Sequence, residues 1–177
     1  MIFYTSDWHI DHQNILKLCD RPFADTDEMR ETIISNYCAR VTDKDDVFFL
    51  GDMFFKSSAS DGSAMKVMKA LPGHKHLIIG NHDKALVKNQ QLMSLFETAD
   101  EYKKIKDDGR TVIAFHYPIL EWDGYFHGTY HVYGHIHNNT GNEYYAVLGQ
   151  LKNAFNVGVD VNGFCPVTLS ELIARSE

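Results

Sequence analysis

The chain has 177 residues and a net charge of −7, with a pI near 5.8, and that length fits one domain. Hydrophobic residues make up 44% and charged residues 23%, the balance of a globular protein rather than a disordered or fibrous one. The acidic excess and the lack of any Lys/Arg run exclude a general binder of long nucleic acids, which needs a basic stripe for the phosphates. No apolar run approaches the roughly 20 residues that span a bilayer, so no membrane partner is expected. Residues 1–7 carry neither a basic n-region nor an apolar h-region, so a cytoplasmic protein is expected. Cys19, Cys38 and Cys165 form no C-x-x-C pair and read as reduced thiols. The 10 histidines are a surplus that raises the question of metal.

In chain order, Ile2 to Thr5 predicts a first strand. Asp25-Thr26-Asp27-Glu28 is a capping signal that opens a helix through about Tyr37. Val47 to Leu50 is a continuous apolar run closed by Gly51, as for a strand buried on both faces. A helix over Ala64 to Leu71 ends at the turn Pro72-Gly73, and Leu77 to Ile79 is a third strand, closed by Gly80. Another helix is expected over Asp83 to Phe96. Tyr102–Lys106 and Thr111–Phe115 flank Asp107-Asp108-Gly109, a hairpin signal. His131–Tyr133 and Phe155–Val159 read as strands, and Thr168 to Glu171 is a capping box for a terminal helix. The pattern is α/β in its first half and strand-rich in its second, with mixed sheets and a single domain over residues 1–177.

Chemistry-bearing residues recur just after these strands: Asp7-Trp8-His9, Gly51-Asp52, Gly80-Asn81-His82-Asp83, His116, and Gly134-His135-Ile136-His137. Strand carboxyl ends are where ligand groups converge in open α/β sheets. Residues two apart in extended chain point to one side, so Asp7 with His9, and His135 with His137, can each aim at a common point. Glycines at 51, 80 and 134 permit sharp turns and close approach. Imidazoles, carboxylates and one amide without thiolate suit a hard-to-borderline divalent metal. Taken singly each residue reads as an ordinary strand-end polar group; the ordered set does not.

That series, D-x-H, G-D, G-N-H-D, H and G-H-x-H from Asp7 to His137, resembles the calcineurin-like metallophosphoesterase superfamily. Asn14-Ile15 and Arg21-Pro22-Phe23 are similar to text in its small single-domain bacterial and phage members. The resemblance implies an α/β, four-layer αββα sandwich without a cap domain and with a dinuclear site at one edge. It further implies that Asp7, His9, Asp52 and His137 hold one divalent ion, and that Asp52, Asn81, His116 and His135 hold the other, with Asp52 shared. Manganese is the first expectation for the two ions; Fe, Zn, Ni and Co suit the same donors. Two divalent cations against two carboxylates leave about +2 at the site, suited to a phosphate within an acidic chain. A water between the ions would be acidic enough to attack phosphorus. Asp52 and His82 are then the catalytic residues, His82 acting on the substrate with an acid nearby, and Asp83 is the adjacent acid.

His12 and Arg21 are candidate phosphate contacts, the arginine as a bidentate clamp; a surface histidine and a surface ion-pair partner are the competing readings. Trp122 and Tyr125 are read as packing rather than a base platform, and His74, His76, His127 and His131 as loop or core histidines. Gly51 to Lys56 carries no Arg after G-D, and residues 80–83 read G-N-H-D rather than G-N-H-E, which disfavours protein phosphatase activity. The expected substrate is a small phosphodiester or phosphomonoester, with nucleotide-derived esters among the candidates. An end-acting or short-oligonucleotide nuclease stays open. So does a non-catalytic scaffold binding a partner protein, although no expected ligand is missing.

Overall fold

A computed structural model describes residues 1–55 and 62–176 of the chain; Lys56 lies outside the described residues. The first sheet pairs β1 (Ile2–Thr5), β2 (Asp46–Phe49), β3 (His74–Ile78) and β4 (Thr98–Asp100), in that order and all parallel. The second pairs β5 (Tyr102–Asp107), β6 (Arg110–Phe115), β7 (Tyr130–Tyr133) and β8 (Ala154–Asn156). It is mixed: β5 and β6 form the antiparallel hairpin, and β6, β7 and β8 run parallel. The first sheet's antiparallel element is a bridge in which Tyr4 and Val167 exchange backbone hydrogen bonds of 2.8 and 2.9 Å.

Strand alternation sends side chains of the first sheet to two cores. Phe3, Val47, Phe49 and Leu77 pack under the helices α2 (Thr26–Cys38), α3 (Ser63–Ala70), α4 (Lys84–Lys88) and α5 (Gln90–Met93), following the short α1 (Ile15–Leu18). Tyr4, Phe48, Leu50 and Ile78 face the second sheet, meeting Ile105, Val112, Ala114 and Val132. The outermost layer is thin. It consists of a 3-10 turn at Tyr125–His127 and α6 (Tyr145–Leu148), whose Leu148 packs on Tyr133 and Ile136. The C-terminal α7 (Leu169–Ser176) closes the inter-sheet core with Leu169 and Leu172.

Both capping signals work as expected. Asp25 accepts from the backbone of Asp27 at 3.0 Å and Glu28 at 2.9 Å, and Glu171 accepts from Thr168 N–H at 2.9 Å. The helix expected over Asp83 to Phe96 is instead two short ones, broken at Asn89. There the asparagine adopts φ −91, ψ 97 and accepts from Gln91 and Leu92 N–H, so a new cap replaces continued helix. The expected strand Phe155–Val159 ends at Asn156, whose Oδ1 accepts from Gly158 N–H at 2.8 Å and leads into a 3-10 turn at Val159–Val161. No helix among the described residues is long and apolar enough to cross a membrane.

Candidate metal centre

The strand ends that carry the expected ligands are held in unusual backbone. Among the described residues, nine non-glycines have positive φ, and five of them are Asp7 (59°), His9 (49°), Asp52 (55°), His135 (70°) and His137 (51°). This left-handed region is uncommon for residues other than glycine, although Asp and His enter it more readily than most, and it persists where the surroundings enforce it. Here the enforcement is a set of close approaches between turns. A Cβ on Gly51 would lie 2.6 Å from Gly80 Cα, and one on Gly134 only 2.3 Å from Asp7 Oδ2. Backbone bonds tie Asp7 N–H to the Gly51 carbonyl and His9 N–H to the Asp52 carbonyl, both at 3.0 Å.

Two donor groups result, Asp7–His9–His137 and Asp52–His116–His135, each with one atom per residue within 4.8 Å of the others. Asp52 Oδ2 lies between them, 3.7 Å from His9 Nε2 and 3.5 Å from His116 Nε2. Asn81 Oδ1 is 2.9 Å from His116 Nε2, while His116 Nδ1 lies 2.6 Å from the Leu50 carbonyl. All seven residues expected as ligands therefore converge on one region. Asp7 Oδ1 and His9 Nε2 are buried and lack any hydrogen-bond partner. Buried polar atoms left unpaired are costly, and these two, with imidazole and carboxylate donors around them, fit divalent ions. A third grouping, Cys19–His137–Asp160, is less suited, since both Asp160 oxygens are already hydrogen-bonded.

The electrostatics of the cluster divide its imidazoles: burial disfavours the charged forms of His9 and His135, and carboxylates favour those of His116 and His137. Burial pushes the Asp7 carboxyl above its ordinary value. Burial also pulls His9 down to about 3. For His116 burial acts the same way, but Asp52 and Asp7 outweigh it and lift the imidazole to about 9. His137 is lifted to about 10, with Asp160 prevailing over burial. Asp52 stays below its usual range, since His116 and the His82 N–H prevail over desolvation.

The residues around this cluster divide by what they touch. His82 is exposed, its ring stands edge-on to His9 at 5.4 Å, and its backbone N–H is bonded to Asp52 Oδ1 at 2.8 Å. Asp83 does not orient the His82 ring: its carboxylate accepts from Gly80, Asp52 and Met53 N–H at 2.8, 2.9 and 3.4 Å. His12 lies beside His9 at 5.6 Å and stacks on Phe55 at 4.6 Å, with Nδ1 buried and unpaired. Trp122 is packing, 5% exposed, with its indole N–H on Thr129. His131 and His76 are buried.

Arg21 requires a correction. It neither clamps a phosphate nor sits on the surface, being 5% exposed. Nε and Nη2 form a fork on Asp160 at 2.7 and 2.9 Å, Nη2 also reaches the Asp7 carbonyl, and Nη1 reaches the Trp8 carbonyl and Met29 Sδ. Its five N–H groups are thus all committed inside the protein. Asp160, absent from the sequence reading, also accepts from His137 Nδ1 at 2.7 Å. The signal for it was chemical rather than a motif: a metal-binding imidazole needs a partner on its other nitrogen.

The chain matches the calcineurin-like phosphoesterase family over residues 1–158. An uncharacterised protein of Methanocaldococcus jannaschii is 31% identical over 180 residues, spanning 99% of this chain and 91% of its own. A protein of unknown function from Aquifex aeolicus superposes with a TM-score of 0.77 at 24% identity, covering 99% of this chain and 98% of its own. Pseudomonas putida nuclease MPE superposes with a TM-score of 0.52 at 17% identity, over 77% of this chain and 61% of that one. The two structural likenesses speak to the fold.

Proposed function

The chain belongs to the calcineurin-like phosphoesterase family, metal-dependent hydrolases of phosphoester bonds, and from that premise we infer that it cleaves a small phosphodiester or phosphomonoester at the Asp7–His137 cluster. The observation that carries this reading is the pair of unpartnered buried atoms, Asp7 Oδ1 and His9 Nε2, within the converging donors. Asp7, His9, Asp52 and His137 would hold one ion, and Asp52, Asn81, His116 and His135 a second, manganese being the first to test. Divalent ions there would polarise phosphoryl oxygens and make water acidic enough to attack near neutral pH. The protein's own part is to present His82. Its backbone is fixed by Asp52 while its ring stays exposed beside His9, where it can donate a proton to the departing oxygen. His12, whose ring also lies beside that of His9, would support the substrate rather than join the donor cluster.

The test strips the protein of metal, restores manganese and then each other divalent ion, and assays generic monoester, diester and cyclic-nucleotide substrates beside Asp52→Asn. Metal-dependent turnover that falls to background in Asp52→Asn is expected, together with a rise in melting temperature on adding manganese. Undiminished activity in Asp52→Asn would overturn the reading. Binding of a partner protein without turnover under any ion would favour a scaffold.

A further inference from the structure

Beside His135 the surface opens into a cleft of ≈ 380 Å³, walled by Tyr117, Pro118, Leu120, Tyr144, Val147 and Leu148. Its walls include a concentration of exposed apolar groups: Leu120 is 58% exposed, Val147 44%, Tyr144 40% and Tyr117 36%. Grouped apolar side chains left open to water mark a binding surface more often than scattered ones do. Tyr117 also fixes the near wall, its ring edge-on to His135 at 4.6 Å and to His116 at 5.0 Å. A group in the cleft therefore lies within one residue of the donor cluster.

We propose that this cleft seats the nucleobase of a nucleoside esterified to the reacting phosphate, which makes the substrate a nucleoside phosphate ester. The proposal rests on the phosphoester-hydrolase reading above for the phosphate end, and on the cleft itself for the base. Flat aromatic and aliphatic walls suit a base's π-face, and stacking of this kind is sequence-tolerant. No Lys or Arg lines the cleft, so it has nothing to offer a second phosphate or a long polyanion. The adjoining groove, which shares His135 and Tyr144 with the cleft, is rimmed by Asn138, Asn139 and Asn142. Asn138 Nδ2 donates to the Cys19 carbonyl at 2.8 Å and Asn139 Oδ1 accepts from Gly141 N–H at 3.1 Å, and the other atoms of these amides offer the donor and acceptor that a base edge needs. Asn142 Nδ2 donates to the Tyr144 hydroxyl at 2.6 Å, which sets that ring at the junction of groove and cleft.

Two diesters with the same chromogenic leaving group decide the matter: thymidine 5′-(p-nitrophenyl phosphate) and methyl p-nitrophenyl phosphate, given to the manganese-loaded protein. The thymidine ester should have the higher kcat/KM by roughly 5- to 150-fold, the worth of one stacked base. In Tyr144→Ala, and independently in Leu120→Asp, that ratio should fall toward one. The second readout is calorimetric: AMP should bind more tightly than ribose 5-phosphate, and the difference should vanish in Tyr144→Ala. Equal rates and equal affinities, or a preference that neither variant moves, overturn the cleft assignment and leave the hydrolase reading standing wherever the methyl ester is cleaved. If neither ester is cleaved with any ion, and p-nitrophenyl phosphate and cyclic nucleotides are not cleaved either, the hydrolase reading fails, while an AMP preference that depends on Tyr144 still upholds the base site.

Discussion

Asp83 follows immediately on the exposed His82, yet its carboxylate is turned inward to gather three backbone N–H groups from two different turns. It latches the Asp52 turn to the Gly80 turn, which carries Asn81. Asp83→Ala should lower the unfolding free energy by about 3 kcal/mol or more, since buried donors lose a charged acceptor, and urea titration reads this directly. His82→Ala should behave in the opposite way: kcat lower by roughly 10²- to 10⁴-fold, with the manganese-induced rise in melting temperature unchanged. Loss of that rise would move His82 into the donor set. At this scale the seven residues that the family resemblance names as ligands lie together in the fold, because each stands in a short motif just after a strand. The sequence did not disclose Arg21's true place, because Arg21 and Asp160 are 139 residues apart and only the fold joins them.

Among the elements, those with local chemistry were legible and those defined by distant neighbours were not. Asp25 and Thr168 announced their helices because capping is a contact over three residues. The apolar runs at Val47–Leu50 and Leu77–Ile79 announced strands because both faces are covered. By contrast, β4 is a three-residue strand of Thr, Ala and Asp at the edge of its sheet, with no period to read. Asn89 offered the backbone a cap in the middle of an otherwise helical pattern. The cap of α7 gives the test at this scale. Glu171→Ala removes the acceptor of the Thr168 N–H and the partner of Arg40, and should cost about 1 kcal/mol, seen as a lowered thermal midpoint with the helix content otherwise kept.

For the whole molecule, the second sheet holds a buried histidine that makes stability depend on pH. Burial pulls His131 down to about 4, despite the Ile113 carbonyl that its Nδ1 faces at 3.1 Å. An unfolded chain takes up a proton at this imidazole near 6.5, the folded one only near 4, so the unfolded state binds more protons in between. The contribution is therefore intact above pH 6.5 and is lost as the pH falls toward 4. Relative to a His131→Gln variant, the native chain should lose about 3 kcal/mol across that interval, measured by urea unfolding at a series of pH values; a constant difference would refute it. The fourfold layering was legible from the family resemblance. The thinness of its outer layer was not, because α6 is only four residues long. The Arg21–Asp160 fork has a consequence for anyone trimming this polypeptide. The match to the family's model ends at residue 158, and a fragment cut there would keep all seven candidate donors. It would nevertheless strand a guanidinium in the interior without its counter-ion, a penalty of about 3–5 kcal/mol, and forfeit the Val167 bridge to β1. Such a fragment should emerge from expression unfolded, its ligands intact on paper and dispersed in solution.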